Sequence, residues 1–110
     1  MRYEISEKGN STVLQINEER FDAKLAPEFR TQIENLMGEI SSHLVLDIGA
    51  VKFMDSSGLG AVMGVYKLLR EKKISVANPQ KSVQDLFKLT RMDRLIKTYD
   101  SVDSALKTTA

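Results

Sequence analysis

Two adjacent serines stand between a carboxylate and a glycine in the segment Asp55-Ser56-Ser57-Gly58. A serine hydroxyl becomes a nucleophile only when a base, usually histidine, lies within hydrogen-bond reach. His43 is the one histidine of the chain, and it begins a predicted strand that ends at Ile48. At a rise of ~3.3 Å per residue, the two ends of this strand are about 17 Å apart. Because the serines follow that far end, the sequence predicts no catalytic residue and no enzyme. The simplest role for Asp55 or a serine here is to cap a helix.

Three glycines, Gly58, Gly60 and Gly64, occupy the first two turns of the helix predicted after the serines. Each glycine inside a helix costs about 0.8–1 kcal/mol relative to alanine. Two explanations remain open, namely close packing of the helix on its neighbours or a bare surface that a partner's backbone can approach. We expect packing at Gly64 and partner access at Gly58 and Gly60. The glycine spacing matches no nucleotide-binding motif, so no cofactor is predicted.

Metal chemistry has little support in the residue types. The chain has no cysteine and one histidine, which makes a zinc site improbable on composition. Asp22, Asp47 and Asp55 are the carboxylates that the predicted elements bring toward one end of the sheet. Asp47 and Asp55 can serve helix N-termini, and no spacing typical of a general acid and base occurs. We therefore expect no metal site.

The elements that position these residues follow from apolar periodicity and turn signals. Residues 3–5 and 12–16 predict two strands of a hairpin. Pro27 marks the start of a helix with an apolar face over residues 29–40. The nearly unbroken apolar run 44–48 is typical of a central strand that is covered on both faces.

The second half of the chain alternates helices and strands. A helix is predicted to begin near Gly58, a strand at 74–77, and a short edge strand at 95–99. Ser82 to Asp85 has the spacing of a capping box for a helix through Leu89, and Asp100 or Ser101 can cap a last helix. The apolar stripe of the helix near Gly58 consists of Leu59, Val62, Met63, Tyr66 and Leu69. The order β-β-α-β-α-β-α-β-α predicts an α/β fold with a four- to five-stranded mixed sheet flanked by helices.

Composition indicates one globular domain over residues 1–110. Lys and Arg number 16 against 15 Asp and Glu, and the net charge of +1 argues against a nucleic-acid partner, which requires a basic surface. No signal peptide is visible, and no stretch approaches the ~20 apolar residues that cross a bilayer. We expect a cytoplasmic protein that does not insert into a membrane.

The segment Phe53-Met54-Asp55-Ser56-Ser57-Gly58-Leu59-Gly60 closely resembles the STAS domain of bacterial anti-sigma factor antagonists. Similarity continues before it in residues 44–47 and after it in residues 86–93, 99–102 and 105–106, so the resemblance covers nearly the whole chain. The STAS fold is a sheet of four or five strands flanked by helices, in agreement with the element order above.

The resemblance implies a regulatory function without catalysis. In that family an anti-sigma factor that is itself a serine kinase phosphorylates the serine directly after the Asp, which is Ser56, and a PP2C-type phosphatase removes the phosphate. The unphosphorylated antagonist binds the anti-sigma factor and releases the sigma factor. The resemblance also implies a partner interface at Asp22, although Glu19 stands where relatives often have glycine. The remaining implied interface residues are Asp55, Ser57, Gly58, Leu59 and Gly60.

Two other functions share the same fold and stay open as alternatives. One is a single-domain STAS adaptor subunit of a membrane transporter, and the other is a STAS regulator of a partner unrelated to sigma factors. The intact Asp-Ser-Ser-Gly segment favours the antagonist, because an adaptor has no need for a phosphorylatable serine.

Overall fold

Seven strands and four α-helices make up the part of the chain that the computed structural model describes, residues 1–107. Two short 3₁₀ helices, at Met37–Glu39 and Met92–Arg94, complete it. The elements are, in chain order, β1 Tyr3–Lys8, β2 Ser11–Ile16, β3 Arg20–Phe21, α1 Ala26–Leu36, β4 His43–Asp47, β5 Phe53–Met54, α2 Ser56–Leu68, β6 Lys73–Ala77, α3 Lys81–Leu89, β7 Lys97–Tyr99 and α4 Val102–Lys107.

The main sheet has five strands in the order β1-β2-β4-β6-β7. β1 and β2 pair antiparallel, and each further pair is parallel. The predicted mixed sheet, its antiparallel hairpin edge, its central strand β4 and its edge strand β7 are therefore confirmed. The hairpin turns at Gly9, whose φ of +63° favours a residue without a side chain.

The two faces of the sheet are covered by different helices. Along each strand, alternate side chains point to opposite faces. Leu14, Leu44 and Val76 belong to a large core shared with α1, α2 and α3, whereas Val13 and Val45 pack against α4. The main sheet thus forms the middle layer of three.

A second, two-stranded sheet was not predicted. In it β3 and β5 pair in parallel, with Arg20 opposite Phe53 and Phe21 opposite Met54. Two-residue strands are too short to show an alternating pattern, so the sequence gives no signal for them. This small sheet is nevertheless the element that positions the candidate site.

Three details of the predicted helices are wrong. α2 begins at Ser56 rather than near Gly58. α3 has no side-chain cap, and Ser82 donates instead to the carbonyl of Lys52 at 3.1 Å. The buried face of α2 is rotated from the predicted stripe, since Gly58, Val62, Val65 and Leu69 are buried while Leu59, Met63 and Tyr66 are half-buried.

No helix within residues 1–107 combines the length and the apolar character needed to cross a membrane.

Candidate functional site

The small sheet brings two segments that are distant in the chain to one place. Asp22 directly follows Phe21 of β3, and Asp55 directly follows Met54 of β5. Beyond the paired residues, the Asp55 amide donates to the Phe21 carbonyl at 3.3 Å. Because the two strands are parallel, both aspartates leave the same end of the small sheet. The structure therefore brings Asp22 next to the Asp55-Ser56-Ser57-Gly58 segment.

Asp55 is the N-cap of α2. Its backbone is extended, and its Oδ1 accepts hydrogen bonds from the amides of Ser57 at 2.9 Å and Gly58 at 3.1 Å. Two of the amides that a helix start leaves without a partner are thereby satisfied. The predicted capping role of Asp55 is confirmed, and the helix start does not depend on a serine side chain.

Ser56 is the first residue of α2 and is exposed. Its hydroxyl makes no hydrogen bond within residues 1–107. Ser57 is half-buried on the side of α2 that faces α1. Of the two serines, Ser56 is the more exposed.

The three glycines of α2 have different roles, and two of the expectations for them are wrong. Gly58 is buried, and an added Cβ would lie 2.2 Å from the Phe21 carbonyl oxygen. Gly58 therefore permits close packing of α2 on β3 and offers no partner surface. At Gly64, where packing was expected, an added Cβ meets nothing within 4 Å outside the local helix. Gly60 is exposed, and an added Cβ there also meets nothing within 4 Å. This agrees with the expected bare backbone surface at Gly60.

Two grooves flank the exposed side of α2. One has a volume of about 290 Å³ and is lined by Ser56, Leu59, Gly60, Met63, Arg91 and Leu95, among others. The other, of about 340 Å³, lies toward α1 and includes Ser57, Gly60 and Pro27 in its lining. Gly60 lines both grooves and therefore lies between them.

Arg91 and Leu95 are residues of this site that the sequence did not single out. Arg91 lies in the segment 86–93 that carries part of the family resemblance, which is the only signal that marks it. Leu95 is 48% exposed despite its apolar side chain. Neither residue stands at a periodic position, so pattern alone does not assign them to a surface.

Asp22 is held as firmly as Asp55. Its Oδ1 accepts from the amides of Lys24 at 3.1 Å and Leu25 at 3.3 Å, and its Oδ2 lies 3.4 Å from the Arg20 guanidinium. Desolvation raises the pKa of Asp22, but the hydrogen bonds from Leu25, Lys24 and Arg20 outweigh it and leave the pKa below its ordinary value. Asp22 is therefore a fixed negative charge beside the α2 start.

The loop before Asp22, which contains Glu19, is joined to β5. The Glu19 carbonyl accepts from the amides of Lys52 at 2.8 Å and Phe53 at 3.1 Å. Next along the chain, the Arg20 guanidinium lies 4.4 Å from the centroid of the Phe53 ring. These contacts tie the loop to β5 through the Glu19 backbone and the side chain of Arg20.

His43 lies away from the serines, as predicted. It is the first residue of β4, and the chain passes the other end of β4 before it reaches Ser56. His43 is 2% exposed, and its ring nitrogens lie 3.0 Å from the Ser11 hydroxyl and 2.8 Å from the Ser75 hydroxyl. Burial and the nearby Lys73 charge lower the pKa of His43. The imidazole is thus a buried structural group at the start of β4.

The three aspartates do not form a common site. Asp47 Oδ1 accepts from the Gly49 amide and the Asn78 side chain, both at 3.1 Å. Across residues 1–107, no three histidine or acidic side chains are grouped so that they could hold a metal ion. The arrangement around Asp55 accordingly provides an exposed hydroxyl and fixed charges.

Known proteins share both sequence and fold with this chain. The sequence profile of the STAS domain matches residues 2–105. The "Anti-sigma F factor antagonist" of Paenibacillus polymyxa is 35% identical over 66 residues, which are 58% of this chain and 56% of that protein. The matched segment therefore spans little more than half of this relative.

Two solved structures show how widely the fold occurs. An anti-sigma factor antagonist from Mycobacterium paratuberculosis superposes with a TM-score of 0.87 at 23% identity, covering 97% of this chain and 92% of that one. A murine solute carrier 26 anion transporter superposes with a TM-score of 0.81 at 15% identity, covering 94% of this chain and 18% of the transporter. At these identities the superpositions establish the fold alone. Since the STAS profile covers nearly all of the sequence, the chain belongs to the STAS domain family.

Proposed function

We propose that this chain is an anti-sigma factor antagonist that works as a partner switch and has no catalytic activity of its own. In its unphosphorylated form it binds an anti-sigma factor that is also a serine kinase, and the sigma factor is released. Phosphorylation of Ser56 ends this binding, and a PP2C-type phosphatase restores it. The similarity to the Paenibacillus polymyxa antagonist supports this function. We further propose that residues 1–110 act as one domain in the cytoplasm.

The main support for the proposal is that the Ser56 hydroxyl is accessible and is not used by the fold. It is exposed, it has no hydrogen-bond partner in residues 1–107, and it begins a helix whose cap is another residue, Asp55. A kinase can therefore modify Ser56 without breaking a structural contact. A serine that capped the helix itself would lose that contact on modification.

Electrostatics explains how phosphate would end binding. Phosphorylation adds roughly −1.5 to −2 charges beside the fixed carboxylates of Asp55 and Asp22. Within the free protein the amide end of α2 favours a negative charge. A partner surface fitted to a small neutral hydroxyl would instead face repulsion and the cost of desolvating the phosphate. The switch then acts by local charge and bulk, and the fold stays unchanged.

The partner surface that we propose contains Ser56, Ser57, Leu59 and Gly60 on α2, with Asp22 and Asp55 beside it. Leu59 is half-buried at the edge of a groove, and Gly60 offers backbone without a side chain. Gly58 contributes only indirectly, by letting α2 pack close to Phe21.

The test combines phosphorylation with binding. The protein is incubated with the cognate kinase and ATP, the product is mapped by mass spectrometry, and capture of the kinase is compared for the wild type, Ser56→Ala and Ser56→Asp. We expect phosphate on Ser56 alone, retained binding by the alanine variant, and binding by the aspartate variant reduced at least tenfold. Ser57→Ala, one position along the same helix turn, is the matched control for modification and should still be phosphorylated.

An unmodified Ser56, or equal binding by Ser56→Asp and the wild type, would contradict the partner switch. A transporter adaptor predicts that second result, since binding to a transporter needs no change at Ser56.

A further inference from the structure

Arg91 contributes a cation to the lining of the groove beside Ser56. Among the described residues 1–107 that line it, Arg91 is the only charged one, and the others are apolar, glycine, Ser56 itself or Thr90. The Thr90 hydroxyl already donates to the Leu86 carbonyl at 2.8 Å. A phosphate carried by Ser56 would therefore find the free side-chain donors of this lining on Arg91.

The Arg91 side chain is exposed and uncommitted. It forms no ion pair and no side-chain hydrogen bond with the residues described, 1–107. Its backbone is fixed, because its amide donates to the Lys88 carbonyl at 3.1 Å and its φ and ψ are 61° and 21°. Residues other than glycine rarely adopt this left-handed conformation, with asparagine among the exceptions. A cationic side chain thus stands where the backbone alone would favour glycine.

We propose that Arg91 binds the phosphate of phosphorylated Ser56 in this groove, which both residues line. The proposal rests on the phosphorylation of Ser56 proposed above and adds the residue that receives the phosphate. An arginine suits this role because its planar donors bind two phosphate oxygens at once.

The other charges near Ser56 act in known directions. Asp55 is adjacent and repels a phosphate dianion, although its Oδ1 is engaged by two amides. Asp22, at the end of β3, adds further negative charge at greater separation. The amide end of α2 favours the dianion. These contributions are the same in any variant of Arg91, so a difference between such variants isolates the arginine.

The test measures the phosphate directly. Phosphoserine is inserted at position 56 during translation, without any kinase, and the second pKa of the phosphate is determined by ³¹P NMR titration. A guanidinium that binds the dianion lowers this pKa, which is about 6 for free phosphoserine. We expect the phosphate pKa in the Arg91→Asn variant to exceed that of the wild type by about half a unit or more. Asparagine tolerates the left-handed backbone, and Arg91→Gly serves as a second variant for the same measurement.

Arg94→Gln is the matched control, because Arg94 is exposed three residues further on and is absent from the groove lining. Its phosphate pKa should equal that of the wild type, whereas Arg91→Lys should give an intermediate value. Equal phosphate pKa values in the wild type and both neutral Arg91 variants would overturn the proposal. An equal rise of the phosphate pKa in Arg94→Gln would also overturn the proposal, because the loss of any nearby positive charge would then have the same effect. Failure of the kinase to modify Ser56 would refute the proposed function and leave this measurement unaffected.

Discussion

At the scale of single residues, the site depends on which atoms lie near each glycine of α2. Gly58 and Gly60 are two positions apart on one helix and look alike in sequence. The Phe21 carbonyl fills the space beside Gly58, while the space beside Gly60 is empty. The same substitution therefore has opposite consequences at the two positions.

We expect Gly58→Ala to lower the free energy of unfolding by about 1–2 kcal/mol, since the clash with a backbone carbonyl outweighs the better helix propensity of alanine. Gly60→Ala should instead raise it by up to about 1 kcal/mol. Urea denaturation of both variants checks this. Stabilisation by Gly58→Ala would mean that β3 shifts away at little cost.

The difference between the two glycines shows why a sequence alone misassigns such residues. A position can require glycine because a neighbouring atom of the same protein is too close for a side chain, or because a partner must approach the backbone. The residue type is glycine in both cases and does not distinguish them. Only the carbonyl of Phe21, which is 37 positions before Gly58 (58 − 21), decides between them. The capping role of Asp55, in contrast, involves amides two and three residues away, and the sequence predicts it correctly.

At the scale of elements, a polar link joins three strands at the amino end of the main sheet. His43 of β4 lies between Ser11 of β2 and Ser75 of β6 on the face that α4 covers. In this buried position the two hydroxyls, which can donate or accept, satisfy both ring nitrogens. Protonation of His43 would replace an acceptor by a donor and bury a charge.

We expect the stability of the fold to fall as the pH drops below about 6.5. Burial, aided by Lys73, lowers the pKa of folded His43 from 6.5, whereas the unfolded chain takes up a proton near that value. The unfolded state then binds more protons, so the free energy of unfolding decreases with falling pH until folded His43 itself titrates. Urea denaturation between about pH 7.5 and about pH 5.5 measures this slope.

His43→Gln is the control variant, since glutamine keeps a donor and an acceptor but does not titrate. Its stability should be flat over the same range of pH. The carboxyls with lowered pKa values, Glu7, Glu18 and Asp22, lose their contribution only at lower pH, because their ordinary values are 4.5 and 3.8. An unchanged slope in His43→Gln would assign the pH dependence to other groups.

The elements differ in how well the sequence predicts them. The hairpin, α1 and β4 are long and periodic, so their existence follows from pattern. β3 and β5 have two residues each and owe their pairing to tertiary contacts such as the Lys52 amide with the Glu19 carbonyl. The motif therefore marks the candidate site, whereas the sequence does not predict the small sheet that holds it.

At the scale of the whole molecule, the three layers are unequal. α1, α2 and α3 cover one face of the main sheet with a large core, whereas α4 covers the other face with a small cluster. Ala105 is fully buried at the centre of that cluster against Val13, Val45 and Ala77. This second face thus depends on six helical residues.

We expect Ala105→Asp to lower the free energy of unfolding by at least about 2 kcal/mol, because an unpaired carboxylate would be buried against apolar side chains. Ser104→Asp, one position earlier and exposed, should change it by less than about 0.5 kcal/mol. Thermal denaturation of the two variants provides the comparison. Equal stability of Ala105→Asp and the wild type would show that α4 leaves the sheet at little cost.

The pairing of β3 with β5 joins segments whose paired residues, Arg20 and Phe53, are 33 positions apart (53 − 20). Closing so long a loop costs chain entropy, so the small sheet forms only together with the tertiary contacts that hold it. A nascent or partly unfolded chain exposes Ser56 but does not yet hold Asp22 beside it. If Ser56 is phosphorylated as proposed, a kinase that contacts both residues would modify folded chains in preference to unfolded ones.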